Sequence, residues 1–332
     1  MNYRHQQAAH CESGTASSLL SHHGLAISEP MAFGLSAALS FAYIPFIKLS
    51  GLPLIAYRMP PRSVFKGLQK RIGIKMHYET FRNADKGMDA LDRALGEGKV
   101  VGLQTSVYWL PYFPDAMRFH FNAHNLIVYG KEGNDYLISD PVVEITTRCD
   151  AESLQKARFA KGALAPKGLM YFPSHIPTDI NYADAGHKAL LSNYRIMNGA
   201  PLPMIGLRGI RHMGKKIQTL VKNGASEQQT KLYLTHIVRM QEEIGTGGAG
   251  FRFIYASFLQ ELSKILQAEQ LAEASLQMTE AGDEWRYFAM LATKMSKNRK
   301  TLDTGLLNQK LNECADKEQI AWQTIHRYAL RK

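Results

Sequence analysis

The chain has 332 residues, 45% of them hydrophobic and 21% charged, with a formal net charge of +11 and three cysteines. That composition excludes a disordered chain and a disulfide-built scaffold, and the length allows two domains of about 100–200 residues each. The positive balance suits an acidic partner (a nucleic acid, an anionic membrane or an acidic protein) or a dispersed solubilising surface. Cys11, Cys149 and Cys314 form no C-x-x-C pair, so zinc ligation is not expected and a reducing, cytoplasmic setting is. No apolar run follows the basic residue near the start, so no secretory leader is expected.

In chain order, the first predicted helix runs from Cys11 to His23, with Ala16, Leu19, Leu20 and His23 on one face and Gly24 as its stop. A second opens at Ser28-Glu29-Pro30, where serine can cap, glutamate suits the positive helix end and proline fits the first turn. The apolar run Met31 to Leu49 contains Ser36, Ser40, Pro45 and Lys48, and reads as a buried helix more than a membrane span. Strands are expected at Leu54–Arg58, Ile74–Tyr78 and, after a helical segment Ala84–Leu95, at Val100–Gln104. Asn125–Tyr129 and Tyr136–Ser139 flank Lys131-Glu132-Gly133-Asn134, a hairpin signature, and Val142–Thr147 and Leu169–Phe172 complete the strands. Pro166, Gly168, Pro173 and Pro177 mark a boundary. Beyond it, helices are expected at 215–222, 227–244, 251–277, 285–297 and 306–328. The order is α+β, with division into residues 1–177 and 178–332.

Cys11 stands at the expected start of a helix, where free backbone N–H groups favour a thiolate; its plainer use is as a buried structural thiol. His124 heads a strand, which holds it rigidly enough to take a proton from a thiol and return it to a leaving group. Asp140 closes the partner strand, and the hairpin returns it towards His124, where a carboxylate would orient the ring. An Asp-Pro turn is the ordinary use of Asp140-Pro141. Trp109, Tyr112 and Phe113 suit either an acyl or acceptor pocket or the core. The glycine run 245–250 lacks the Lys-Ser/Thr of a phosphate loop and reads as a helix–helix turn, with Arg252 available to a partner surface. The basic cluster Arg208 to Lys216 comes with no nucleic-acid motif and reads as a solvated face.

His10-Cys11, Gly24, Ser28-Glu29-x-Met31-x-Phe33-Gly34-Leu35, Tyr108-Trp109-Leu110-Pro111-Tyr112 and His124 to Gly130 together resemble the butirosin biosynthesis protein H family. Gly245-Thr246-Gly247-Gly248-x-x-Phe251-Arg252-x-x-Tyr255-x-x-Phe258-Leu259 is similar to the domain usually fused to it. The resemblance covers most of the chain, with gaps at residues 60–98 and 180–230. It implies a papain-like cysteine-protease fold, an all-α C-terminal domain and acyl transfer. The donor would be the phosphopantetheine thioester of an acyl carrier protein, and the acceptor a small amine or alcohol. Cys11, His124 and Asp140 would be the catalytic residues. Water as acceptor, giving a thioesterase or peptidase, is the alternative. The peptidase relatives place an oxyanion-stabilising Gln before the cysteine, for which Gln6 and Gln7 are both candidates, beside the Cys11 backbone N–H. No bound cofactor, metal, nucleic acid or stable membrane insertion is expected; the oligomeric state stays open.

Overall fold

The computed structural model describes residues 3–49 and 51–330, Leu49 by its backbone only. Met1 and Asn2, at the head of the segment read for a leader, lie outside the described residues. Helix α1 (Cys11–His22) begins where His10 leaves the extended region, its ring Nδ1 accepting the Ser13 N–H at 3.2 Å. It ends before Gly24, whose φ of +92° is costly for a residue with a Cβ. In α2 (Glu29–Leu35), the Ser28 hydroxyl accepts the Met31 N–H at 3.1 Å, the expected cap.

The apolar run Met31 to Leu49 is not one helix. α2 stops at Leu35, Ala37 takes φ +55°, and strand β1 (Leu39–Leu49) pairs antiparallel with β2 (Leu52–Arg58). Phe41, Tyr43, Ile44, Phe46 and Ile47 favour a pleated strand, and Pro45 lacks the N–H that a helix interior needs.

The elements that follow are α3 (Ser63–Ile72), β3 (Lys75–Glu79), α4 (Ala84–Gly96), β4 (Val101–Thr105), β5 (His124–Glu132), β6 (Asp135–Ser139), β7 (Thr147–Asp150), α5 (Ala151–Arg158) and β8 (Met170–His175). Helices α3 and α5 lie where no element was expected. The strand expected at Val142–Thr147 forms only from Thr147, because a turn follows Pro141 and closes through the Val143 N–H on the Asp140 carbonyl. The six strands β3-β8-β4-β5-β6-β7 form one antiparallel sheet. On β5, Leu126 and Val128 join a core with Leu91 of α4, Leu103 of β4, Ile138 of β6 and Leu154 of α5. Each of these side chains is fully buried, worth about 1.5–3 kcal/mol apiece. Helix α1 packs on β4, β5 and β8.

After residue 180 the chain is helical: α6 (Tyr182–Gly199), α7 (Gly206–Lys222), α8 (Glu227–Val238), α9 (Arg252–Leu266), α10 (Glu269–Ser296) and α11 (Thr304–Leu330). The single helix expected over 251–277 is two, broken at Gln267 with φ +51°, and the helix expected at 285–297 is the second half of α10. The glycine run supplies positive φ at Gly245, Gly247, Gly248 and Gly250 on the way into α9, the turn expected of it.

The chain forms two compact units, Met1–Ala32 with Val64–Ile180, and Phe33–Ser63 with Asn181–Lys332. This differs from a contiguous division at 177/178. The reason is aromatic packing of the 33–63 segment within the helical unit. Phe33 stacks on Phe251 at 5.1 Å, Phe41 and Tyr57 lie against Trp285, and Gly34 fits against the Phe258 ring, where a Cβ would come within 1.9 Å. Two of the family-like sequence blocks thus meet here. Among the described residues, no helix is long and apolar enough to cross a membrane.

Candidate active site

Cys11 is the first residue of α1, so its N–H has no intrahelical acceptor. His124 is the first residue of β5, held in register opposite Thr105 of β4, whose hydroxyl donates to the His124 carbonyl at 3.3 Å. Asp140 directly follows β6. The pairing of Ile127 with Ser139 returns the end of β6 to the start of β5. The consequence is a 2.6 Å hydrogen bond between His124 Nε2 and Asp140 Oδ2, with both side chains buried.

Asp140 accepts two further hydrogen bonds, from the Tyr112 hydroxyl to Oδ2 at 2.7 Å and from the Val142 N–H to Oδ1 at 3.1 Å. With Nε2 committed to Asp140, the remaining ring nitrogen, Nδ1, is the one left for Cys11, whose side chain interacts with the His124 ring. Burial alone would lower the His124 pKa. The Asp140 charge and hydrogen bond, joined by Cys11, outweigh it and raise the value to about 10. The ring is therefore held as imidazolium, the form that stabilises a thiolate beside it. Phe113 closes over His124 edge-on, with ring centroids 5.6 Å apart.

The turn after β6 that carries Asp140 is bound to the segment before Cys11. Ala8 N–H donates to the Pro141 carbonyl at 2.7 Å. His5 spans Val143 and Ser139: its Nε2–H donates to the Val143 carbonyl at 3.1 Å, leaving Nδ1 to accept from the Ser139 hydroxyl at 2.8 Å. Gly14 allows this closeness, since a Cβ there would meet the Ala8 Cβ at 2.5 Å and the Pro141 Cβ at 2.7 Å. The helix of Cys11 and the turn of Asp140 thus share one tight contact.

The other two cysteines are buried in different surroundings. Burial, together with Asp150 and Asp135, pushes the Cys149 thiol up to about 12. Cys314 is likewise raised, first by burial and then by Glu318.

The structure brings Cys11, His124 and Asp140 together. It gives other candidates different places. Tyr112 is partly buried and holds Asp140, and Phe113 packs on His124; neither role is among those the sequence suggests. Burial, then the neighbouring Asp140 charge, keeps the Tyr112 hydroxyl well above the usual tyrosine range, hence a donor. Trp109 is partly exposed, with the Lys156 ammonium 5.4 Å from its ring centroid. Gln6 and Gln7 are both exposed. Arg252 offers no partner surface, because it is fully buried with Nε donating to Glu318 at 2.9 Å. No sequence signal pointed to His5 or Gly14, whose roles depend on contacts more than a hundred residues distant in the chain.

No curated protein matches the chain. A solved structure described as a C39-like peptidase from Bacillus anthracis matches it with a TM-score of 0.37 and 12% identity, over 53% of this chain and 96% of that one. The family described as butirosin biosynthesis protein H, N-terminal, matches residues 10–141, which hold Cys11, His124 and Asp140. A domain of unknown function, DUF4872, matches residues 152–325. The chain thus belongs to the DUF4872 family, whose model covers more than half of it, and joins that helical domain to an α+β N-terminal region similar to butirosin biosynthesis protein H.

Proposed function

We propose that the protein is a cysteine-dependent acyltransferase that moves an acyl group from the thioester of an acyl carrier protein, through Cys11, to a small amine or alcohol. The observation that carries this reading is the buried Asp140–His124 hydrogen bond, with the Cys11 side chain interacting with the same imidazole. In the first step the Cys11 thiolate attacks the donor carbonyl. A carbon–sulfur bond to Cys11 forms, the bond to the carrier's phosphopantetheine sulfur breaks, and the His124 imidazolium protonates the departing thiolate. In the second step His124 removes a proton from the acceptor as its nitrogen or oxygen attacks the acyl-enzyme. The carbon–sulfur bond to Cys11 then breaks and the thiolate–imidazolium pair returns. Asp140 keeps the ring in one orientation throughout, and the Cys11 N–H at the start of α1 suits the oxyanion.

A thioester donor fits this chemistry because exchange of one thioester for another costs little. An acidic carrier fits the charge pattern of α7. Arg208, Lys215 and Lys222 recur every seven residues on one side of that helix and are exposed, with Lys216 beside them. Of the arginines and lysines of α7, only Arg211 makes an ion pair within the described residues, to Asp316. Three unpaired buried thiols suit a reducing cytoplasm.

The test is incubation with acyl-carrier thioesters and mass analysis of the Cys11 peptide. An acyl adduct is expected, lost in Cys11→Ala and discharged faster when an amine acceptor is added. Release of free acid at the same rate without acceptor would make the enzyme a thioesterase. No adduct from any thioester, or an adduct that survives Cys11→Ala, overturns the proposal.

A further inference from the structure

Glu29 is the first residue of α2, but its carboxylate serves α1. Oε2 accepts the Ala9 N–H, and Oε1 accepts both the His10 N–H and the Ser13 hydroxyl, each at 2.9 Å. The three donors bracket Cys11, lying two residues before it, one before it and two after. Ala9 and His10 precede the helix, so their N–H groups have no helical acceptor and a single side chain supplies both. Ser13 belongs to the first turn, whose backbone N–H is already held by the His10 ring. With Ala8 fixed to Pro141, every residue from 8 to 10 has its N–H anchored at the point where the chain turns into α1. Hydrogen bonds to an ionised acceptor are about twice as strong as neutral ones. Among the described residues no cation pairs with Glu29, so the cost of burying this carboxylate is met by these donors alone. Burial raises its pKa, and the same three bonds pull the other way.

We propose that Glu29 is the positioning residue of the nucleophile: its carboxylate fixes the first turn of α1 so that the Cys11 thiol stays on the His124 ring. This inference rests on the reading of Cys11 as the nucleophile. A glutamine at this position offers one acceptor in place of two and points an NH2 group at the Ala9 N–H, so donor faces donor and the turn shifts.

The test measures alkylation of the full-length protein by iodoacetamide, with the Cys11, Cys149 and Cys314 peptides followed separately. Melting temperature and the ultraviolet absorbance of the thiolate, referenced to Cys11→Ala, are recorded in parallel. In the unmodified protein Cys11 should react faster than the other two. Glu29→Gln should slow Cys11 by about tenfold to a hundredfold, the scale of a sub-ångström to ångström misplacement, and reduce the thiolate absorbance. Ser13→Ala, which removes one donor, should slow it by about fivefold. A folded Glu29→Gln protein with a lower melting temperature but unchanged alkylation and absorbance would make Glu29 merely structural and overturn the proposal. Should Glu29→Gln not fold, unchanged alkylation in Ser13→Ala overturns it equally. A Cys11 no faster than Cys149 in the unmodified protein removes the nucleophile itself, and the fault then lies with that reading and not with the clamp.

Discussion

Each unit of this protein buries an ion pair beside a cysteine, and the proposed function assigns reactivity to only one of the two. In the first unit the order is carboxylate, imidazole, thiol: Asp140 holds His124, and His124 meets Cys11. In the second unit Arg252 donates to Glu318 at 2.9 Å, with both side chains fully buried. The indoles of Trp285 and Trp322 also donate to Glu318, at 2.6 and 3.5 Å, and Arg252 gives another hydrogen bond to the Gly250 carbonyl. Cys314 precedes Glu318 by one helical turn and so faces the carboxylate end of the pair. Burial and that negative charge suppress its thiolate. A guanidinium cannot exchange a proton at ordinary pH, whereas an imidazole can. What separates the proposed reactive centre from the structural one is therefore the sequence of groups, not the presence of charge in the core.

The largest expected effect that sharpens this contrast is at His124. His124→Ala should lower acyl transfer by about a thousandfold to ten-thousandfold, read as turnover of a carrier thioester, with Cys314 reactivity unchanged. Breaking the other pair should do the reverse. Arg252→Met strands Glu318 in the core and should cost about 3–5 kcal/mol by urea unfolding, while Cys11 alkylation in the folded protein stays at its normal rate. Gly14→Ala forces Ala8 and Pro141 apart and should cost about 1–3 kcal/mol together with a loss of transfer activity, since both partners of the triad move.

Acid–base linkage divides the two centres further. His124 is raised from 6.5 to about 10 on folding, so its stabilisation is full below pH 6.5 and shrinks as pH rises, ending above about 10. Thermal melts across that window should show a fall in the unmodified protein that is missing in His124→Ala. The smallest effect is at Tyr112. Tyr112→Phe removes one donor from Asp140 and should cost about 1 kcal/mol, with a severalfold drop in turnover.

Much of this centre was legible before any coordinates. The Lys131–Asn134 turn between two apolar strands fixes which strand ends meet, and that alone predicts the approach of Asp140 to His124. Gly24 marked the end of α1, and Ser28 marked the start of α2. Local rules sufficed because each of these features is decided within a few residues. The run Met31 to Leu49 was misread for the converse reason. It is apolar on every side, so neither the helical nor the strand period stands out, and its packing against α9 and α10 decides its form. By sequence Tyr112 suits a pocket and the core alike, because nothing in its neighbourhood shows that residues 107–123 fold back on the end of β6. Arg252 looked like a surface cation for a similar reason, since its acceptor lies far along the chain.

The 33–63 excursion also sets an order of events during synthesis. The ribosome releases the β1–β2 hairpin early, whereas Phe251, Phe258 and Trp285, which cover Phe33, Gly34, Phe41 and Tyr57, emerge late. The sheet of the first unit is complete in the nascent chain by β8, while that hairpin still has its aromatic face bare. Such a face is a site for chaperone capture or premature association until α10 arrives. A chain truncated before α10 would carry an intact triad and an uncovered hairpin, so its weakness would be aggregation and not chemistry.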